Sequence, residues 1–332
     1  MVTDTAISLK FRCQNRSILA LTSGIGCFIL GTEIVDNRQF AFVPIQKEVR
    51  EMRVTVRQFE PGSAVWLQLT GPVAVLTIKR PHRKNALNRS AWATLGDWVR
   101  HLPAKTRLLV IRGAGGDFSS GSDLKEFASL TEAEVNQAFE LMENTIAAVE
   151  SLPIPTLATI DGGAYGAAFV LTLACDLRLG TSRAKLGIPV GKLGITLQPP
   201  FVRRILRELG PSAAKDLVFT GRILDADMAR AMGILNDVVP PEHLTDHTIR
   251  MVRTILRQSR ASVLAMKESV RKVIAEAQME EMEQAENRRG RNWVYGPDFF
   301  PAVSAFAAKR AHRFERRPDA VKTCADTPRG DG

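Results

Sequence analysis

Two stretches of the chain repeat one local pattern, in which a short apolar strand is followed by a turn of small residues and then by a helix. The first runs from Leu108 to Lys125 and the second from Leu157 to Asp176. Glycine and alanine leave the backbone of such a turn almost bare, and the first N–H groups of a helix have no partner inside it. Small residues also let a helix pack closely on a sheet, so one such turn does not by itself indicate a binding site. Two of them could each direct one N–H at the same carbonyl oxygen, which is how an enolate or a tetrahedral oxyanion is stabilised.

Strands and helices alternate along most of the chain. Val65–Lys79 alternates apolar and polar residues on either side of a Gly-Pro pair, which predicts a hairpin of two strands. A helix is predicted over Thr131–Leu152, with Thr131 as N-cap and a glutamate three residues later. A further helix, capped by Asn88 or Ser90, is predicted to run through about His101. Others are predicted at Phe201–Leu209, Ser212–Phe219, Asp225–Ala231 and Ser259–Asn287, with strands at Leu177–Gly180 and Gly233–Val239. This alternation predicts an α/β fold with parallel strand pairing.

Composition restricts the classes of partner. The 332 residues include 45 Lys and Arg against 35 Asp and Glu, a formal charge of +10. No basic stripe with interleaved aromatic residues occurs, so we predict no nucleic-acid partner, and a phosphate-bearing small molecule accounts for the charge as well. The densest basic cluster, from Lys79 to Lys84, follows a predicted strand. No apolar run reaches the roughly 18 residues that a membrane span needs, and the four cysteines lack metal-type spacing, so we predict no membrane association, no metal and a cytoplasmic location.

The two repeated turns carry specific motifs. They read I-R-G-A-G-G-D-F-S-S-G-S-D-L-K from Ile111 and I-D-G-G-A-Y-G-A-A-F-V-L-T-L-A-C-D from Ile160. Together with R-P at 80–81 and N-A-L-N at 85–88, they resemble the two oxyanion-hole motifs of the crotonase superfamily, the enoyl-CoA hydratase/isomerase family. The similarity covers most of the chain, from about residue 73 to residue 314. It implies a crotonase-like core of repeated ββα turns that form a spiral, followed by a C-terminal helical region through which subunits trimerise.

The resemblance also implies a division of the chain. Residues 1–51 match nothing in the family, and we predict that they are a poorly ordered extension or precede the true start at Met52. The spiral core is predicted at 52–250, the helical region at 251–314 and a flexible tail at 315–332. The segment 298–314 is similar to the family's final helix, which helps to cover the CoA of a neighbouring subunit.

In the family, the carbonyl oxygen of a CoA thioester lies between two backbone N–H groups. Matched residue by residue, these fall on Ser122 and on Ala167, the middle position of a glycine triplet. The resemblance places further contacts to the acyl-CoA at Lys84, Ala86, Asp123, Leu124, Lys125, Gly166, Val170, Val190, Phe306 and Lys309. CoA is part of the substrate, so no separate cofactor is predicted. Alanine replaces glycine at 167 and 168, and the two added methyl groups narrow the predicted pocket.

Three proton-transfer groups of the family are missing. The two glutamates of its hydratases fall on Val170 and Val190, and a third position, an aspartate in some relatives, falls on Gln198, whose amide takes up no proton. Each such group contributes about 10²- to 10⁴-fold to a mechanism that depends on it, so ordinary hydration is not expected. We predict enolate chemistry without a carboxylate base, such as decarboxylation of a malonyl-type thioester or isomerisation, with Gln198 orienting a water or a carbonyl.

Two alternatives stay open. One is an enoyl-CoA hydratase that uses another acid or base. Tyr165, Lys192 and Glu126 lie near the motifs, although a packing ring, a loop charge and a helix-surface residue describe them better. The other is a non-catalytic subunit that binds acyl-CoA. In each case the predicted ligand is an acyl-CoA or a carrier-bound acyl thioester, and the predicted assembly is a homotrimer or hexamer.

Overall fold

A computed structural model describes residues 9–13, 16–22, 27–28, 54–57, 64–282, 298–310 and 312. The chain divides into two compact units, residues 1–56 and 57–332. In the first unit an antiparallel sheet contains β1 (Leu9–Cys13), β2 (Arg16–Thr22) and β3 (Cys27–Phe28), and β4 (Val54–Arg57) spans the division in the sequence. The boundary predicted at residue 52 and the tail predicted at 315–332 lie outside the described residues, so the predicted division stays a prediction.

The second unit is built on a twisted arrangement of mostly parallel strands. They are β5 (Val65–Thr70), β6 (Val73–Ile78), β7 (Leu108–Gly113), β8 (Thr156–Ile160), β10 (Leu177–Thr181) and β13 (Asp237–Val239). These strands lie side by side in chain order; β5 and β6 form an antiparallel hairpin, and the other neighbours are parallel. Every residue of β8 is buried, as in a strand covered on both faces. The predicted hairpin and the predicted α/β class are confirmed.

A smaller sheet runs through the glycine-rich turn that the sequence predicts after Ile160. Its strand β9 (Gly163–Tyr165) pairs in parallel with β11 (Lys185–Gly187), which pairs in antiparallel fashion with β12 (Leu224–Asp225). The other edge of β9 contacts Ser119, whose N–H donates to the Gly163 carbonyl and whose carbonyl accepts from the Tyr165 N–H, each at 3.0 Å. Because both edges find backbone partners, the segment is a strand and not a turn.

The described residues form nine α-helices, including three that begin with a side-chain cap, at Asn88, Thr131 and Asp225. They are α1 (Arg89–Arg100), α2 (Leu124–Phe127), α3 (Glu132–Glu150), α4 (Ala167–Leu173), α5 (Pro199–Thr220), α6 (Ala226–Ala231), α7 (Leu244–Arg257), α8 (Arg260–Met282) and α9 (Phe299–Ala307). Asn88 caps α1, and Thr131 and Glu134 form the predicted capping box of α3. Short 3₁₀ helices span Pro81–Arg83, Val190–Leu193 and Pro241–His243. No helix in this described part is long and apolar enough to cross a bilayer.

Helix α5 contains both of the helices predicted at 201–209 and 212–219. Its two halves meet at a kink, where Gly210 has φ 73° and ψ 167° and Pro211 follows. Glycine adopts such a positive φ at little cost, and proline cannot donate the hydrogen bond that would continue the first half. The sequence therefore predicts the interruption at the correct place, but as a break between two helices and not as a kink within one.

Helices cover both faces of the main sheet. On one face, α1, α3 and α4 pack over a large apolar core that includes Leu76, Trp92 and Phe169, all buried. On the other face, α7 packs Met251 and Ile255 against a second cluster on β7, β8 and β10. Helix α9 lies against α2 and the 3₁₀ helix Val190–Leu193. The C-terminal segment therefore lies beside the turns that carry the predicted site.

Candidate active site

The first predicted oxyanion donor, Ser122, lies in an extended segment beside Leu87. The Leu87 N–H donates to the Gly121 carbonyl at 2.8 Å, and the Asp123 N–H donates to the Leu87 carbonyl at 2.9 Å. In a parallel pair a residue bonds to the two neighbours of its partner, so the N–H of the partner points to the opposite side. Within the described structure no group accepts a hydrogen bond from the Ser122 N–H. This N–H is available to a ligand.

The second predicted donor, Ala167, is the first residue of α4. Gly166 precedes it as the N-cap with φ 57° and ψ −126°, a conformation that glycine permits, and Gly166 donates its own N–H to the Gly187 carbonyl at 2.9 Å. The N–H at the first helical position has no intrahelical acceptor. No acceptor for it occurs elsewhere in the part of the chain that is described. Ala167 therefore presents a second available N–H.

The two turns touch each other at Gly121. A Cβ atom built on this glycine would lie 2.7 Å from the Tyr165 carbonyl oxygen and 3.5 Å from the Ala167 nitrogen. Gly121 also has φ 89°, in the region where glycine is preferred. The absence of a side chain thus lets the backbones that carry the two free N–H groups lie in contact. This proximity fits the two-donor arrangement that the sequence predicts.

We expect Gly121→Ala to reduce turnover of an acyl thioester at least 10-fold, because the added methyl forces the two turns apart. Gly116→Ala is the matched control: Gly116 has φ 88°, and its Cβ would meet no atom within 4 Å. Both variants carry a comparable backbone strain of ~1–3 kcal/mol, so the difference between them isolates the contact. Steady-state kinetics and thermal unfolding of both variants measure the effect. Equal kinetic losses in the two variants would contradict this role for Gly121.

A buried polar network fixes the first turn. Arg80 donates to the Ala86 carbonyl at 2.7 Å and to Asp123 Oδ2 at 3.0 Å. Asn85, fully buried with φ 56°, donates to the carbonyls of residues 114 and 117 at 2.7 Å each, and its Oδ1 accepts from the Arg80 N–H at 2.8 Å. The motif residues around 80–88 therefore hold the loop that precedes Ser122. Asn85 was part of the resemblance, yet its structural role was not predicted.

Asp117 ties the first turn to the second, a connection that the sequence did not reveal. Its Oδ1 accepts from the Gly163 N–H at 2.8 Å. The Tyr165 ring folds back over Gly163, since a Cβ there would lie 2.4 Å from Tyr165 Cε2. Burial, and then the charge of Asp117, raise the pKa of the Tyr165 phenol above 10.0. The phenol is therefore protonated near neutral pH. This state fits a ring that only packs and also a group that donates a proton.

The side chains at the two positions matched to glutamates are apolar and buried. Val170 is inaccessible within α4, and Val190, at the start of a 3₁₀ helix, is 8% exposed. In the first turn, the Oγ of Ser122 donates to Met142 Sδ at 3.1 Å. Gln198 is the N-cap of α5, and its backbone carbonyl accepts from the Phe201 N–H at 3.0 Å.

The remaining predicted contacts fall into two groups. Lys84, Ala86, Asp123, Leu124 and Lys125 are brought together by the hydrogen bonds around the first turn, with the side chains of Lys84 and Lys125 exposed and that of Ala86 buried. The backbone carbonyl of Lys84, a residue with φ 50°, accepts from the Ser120 N–H at 2.9 Å. Phe306 and Lys309 are exposed at the end of α9, whose packing places this helix near α2. No distance links these last two residues to the first turn, so their role stays a prediction.

Other candidates near the motifs have structural partners. Glu126 accepts from the Arg89 N–H at 2.9 Å and pairs with its guanidinium at the start of α1. Cys175 is fully buried, and burial, followed by the charge of Asp176, raises the pKa of its thiol to about 12. A thiol of this kind is protonated and inert at neutral pH. Cys175 is therefore a core residue.

Comparisons with known proteins identify the family of this chain. The sequence profile of enoyl-CoA hydratase/isomerase matches residues 69–317. The mitochondrial methylglutaconyl-CoA hydratase of Mus musculus is 35% identical over 189 residues, which cover 56% of this chain and 60% of that protein, so the match spans less than two thirds of the relative.

Solved structures show the same fold. An enoyl-CoA hydratase/carnithine racemase from Magnetospirillum magneticum superposes with a TM-score of 0.62 at 26% identity, covering 77% of this chain and 97% of that one. A structure from Thermobifida fusca YX in complex with acetoacetyl-CoA superposes with a TM-score of 0.58 at 28% identity, covering 66% and 96%. With a profile match over most of its length and two free N–H groups on adjoining turns, this chain belongs to the enoyl-CoA hydratase/isomerase family of the crotonase superfamily.

Proposed function

We propose that the protein binds an acyl-CoA, or a carrier-bound acyl thioester, and stabilises its enolate with the N–H groups of Ser122 and Ala167. The observation that carries this proposal is the contact of the two turns at Gly121, which brings two N–H groups without acceptors close together. Donors fixed before charge develops are worth about 3 kcal/mol each at the transition state. The exposed basic residues from His82 to Lys84 lie on the loop next to the first turn, where they suit the phosphates of CoA.

We further propose that the enzyme does not depend on a carboxylate base. Val170 and Val190 are buried among apolar side chains, and a glutamate at 170 would need a partner inside the core. An apolar surface disfavours a charged carboxylate, so it would favour loss of CO₂ from a malonyl-type thioester, which produces the enolate without proton abstraction. Isomerisation of a 3-enoyl thioester is the related possibility: a base other than a carboxylate would take the C2 proton, and the resulting dienolate, held by the same N–H groups, would be reprotonated at C4.

Hydration is a second candidate function, because the mouse relative is named a hydratase. It would require an acid or base in place of the missing glutamates. Tyr165 lies two residues before Ala167 and carries a protonated phenol. Burial, and then the charge of Asp117, raise the pKa of this phenol. Non-catalytic binding of acyl-CoA is the third candidate function.

We also propose the predicted homotrimer or hexamer. Exposed Met266, Val270 and Val273 share one side of α8 and could contact a neighbouring subunit. The sedimentation mass of the full chain would test this assembly.

A turnover screen followed by mass spectrometry separates these functions. The full chain is incubated with crotonyl-CoA, a 3-enoyl-CoA and methylmalonyl-CoA in parallel, with Gly121→Ala as the impaired control. We expect loss of CO₂ from methylmalonyl-CoA or migration of the double bond, and hydration at least 100-fold slower. Hydration of crotonyl-CoA as the fastest reaction would show that another residue transfers the proton. Tight binding of all three without turnover would support the non-catalytic reading.

A further inference from the structure

Ser122 carries two hydrogen-bond donors at the proposed site, the backbone N–H and the side-chain hydroxyl. We propose that both donors engage the acyl group, and that the protein thereby selects thioesters with a second carbonyl oxygen on C3, the 3-oxoacyl class. This inference rests on the proposed function, since it assumes that the thioester oxygen lies at the Ser122 N–H. It names the substrate class that this site would prefer.

The Ser122 hydroxyl makes only a weak hydrogen bond in this structure. Its hydrogen bond, 3.1 Å long, goes to Met142 Sδ, and no other partner of this hydroxyl occurs among the described residues. A thioether is a weak acceptor, so turning the hydroxyl away from Met142 costs little. Met142 is inaccessible to solvent, whereas Ser122 remains partly exposed. The hydroxyl is thus directed toward the core in this structure, and a change of its χ1 rotamer would turn it toward the open side of the first turn.

The spacing of the two donors matches a 1,3-dicarbonyl group. Two of the three staggered rotamers of a serine place Oγ beside its own backbone nitrogen, so the N–H and O–H form a short fork. A 3-oxoacyl thioester in its U-shaped conformation presents two carbonyl oxygens side by side. One oxygen would accept from the N–H groups of Ser122 and Ala167, and the other from Ser122 Oγ.

The two hydrogen bonds from Ser122 are also compatible with the apolar side chains at the site. When solvent water takes the C2 proton of a 3-oxoacyl thioester, the negative charge left behind is shared by two oxygens, which makes this proton more acidic than that of a simple thioester. Hydrogen bonds to ionised acceptors are roughly twice as strong as those between neutral groups, so both donors of Ser122 would stabilise this enolate. Such a ligand needs little help from a base. Val170 and Val190 would not prevent its ionisation.

The test is isothermal titration of the full chain with acetoacetyl-CoA and with butyryl-CoA, which lacks the C3 oxygen. We expect the wild type to bind acetoacetyl-CoA more tightly, and Ser122→Ala, which keeps the N–H, to lose about 5- to 10-fold of this preference, taken as the ratio of the two dissociation constants. The ultraviolet absorption of the enolate of bound acetoacetyl-CoA should fall in the same variant. Ser129→Ala, a hydroxyl removed from the exposed loop after α2, is the control and should keep the preference.

Met142→Leu provides a second check, because it removes the thioether but leaves the Ser122 hydroxyl in place. We expect this variant to keep the preference for acetoacetyl-CoA. An unchanged preference in Ser122→Ala would overturn the inference while leaving the proposed thioester binding intact. Failure of the wild type to bind either thioester would instead contradict the proposed function, and the inference with it.

Discussion

Ala167→Pro is expected to lower kcat for the thioester reaction by about 10²- to 10³-fold, the loss reported for removal of one fixed oxyanion donor. Proline is well tolerated at the first position of a helix, because the N–H it lacks has no intrahelical partner there. Ala167 holds this position in α4. The substitution should therefore remove the proposed donor and leave the helix in place.

The local backbone favours this experiment. A residue before proline is restricted to extended conformations, and Gly166 has the mirror image of one, with φ 57° and ψ −126°, which glycine accepts. Ala167→Gly is the matched control, since it keeps the N–H and restores the residue typical of the family motif. We expect Ala167→Gly to retain activity within about 10-fold. Steady-state kinetics report the loss, and far-ultraviolet circular dichroism verifies the fold.

A large loss with an unchanged KM would place the effect in the transition state, where an oxyanion donor acts. Comparable activities of Ala167→Pro and Ala167→Gly would refute the assignment of this N–H. Loss of binding without a change in kcat would indicate that the N–H stabilises the bound substrate and the transition state equally. The two variants therefore test whether the proposed function depends on the N–H of Ala167.

Local features were predictable from the sequence because they depend on neighbouring residues. The capping box at Thr131 and the hairpin around Gly71 involve residues only a few positions apart, and both are present in the structure. The two turns were identified for the same reason, since small residues leave their N–H groups open. The gap between the helices predicted at 201–209 and 212–219 coincides with the kink at Gly210, although α5 continues across it.

Features that join distant segments were not predictable in this way. Strand β9 was expected to be a turn, because its partners, Ser119 and Gly187, lie some distance away in the sequence. The bond from the Gly163 N–H to Asp117 was missed for the same reason. Periodicity and capping describe one segment at a time, whereas a sheet edge depends on which segments meet. The resemblance supplied the pairing of the two turns, and the contact at Gly121 shows its steric basis.

A second large effect, on stability, is expected where Arg204 joins α5 to α3. Arg204 is 4% exposed; it donates to both oxygens of Glu143, at 2.7 and 2.9 Å, and to Glu150 at 2.8 Å. Arg204→Met would leave Glu143 partly buried without this cation, whereas Glu150 keeps Arg207. Removing one partner of a buried pair costs about 3–5 kcal/mol, so we expect a loss of this size in the free energy of unfolding, measured by urea denaturation.

Two controls identify the cause as an unpaired charge. The exposed pair between Arg222 and Asp216 is the surface counterpart, and Arg222→Met should cost no more than about 1 kcal/mol. The double variant Glu143→Leu, Arg204→Met removes both charges, so it should recover much of the loss. Equal stability of the single and double variants would show that lost packing, and not the charge left at Glu143, explains the effect.

The pH dependence gives an independent check. Burial opposes ionisation of Glu150, but Arg204 and Arg207 outweigh it and hold the pKa of this carboxyl below 4.5. A carboxyl with a lowered pKa stabilises the fold above its unfolded pKa, and this contribution is lost as the pH falls through the folded value. Arg204→Met removes part of that contribution, so the stability gap between wild type and variant should narrow below about pH 4.5. A gap that stays constant from neutral to acidic pH would mean that Arg204 stabilises the α3–α5 contact through its aliphatic chain and not through its charge.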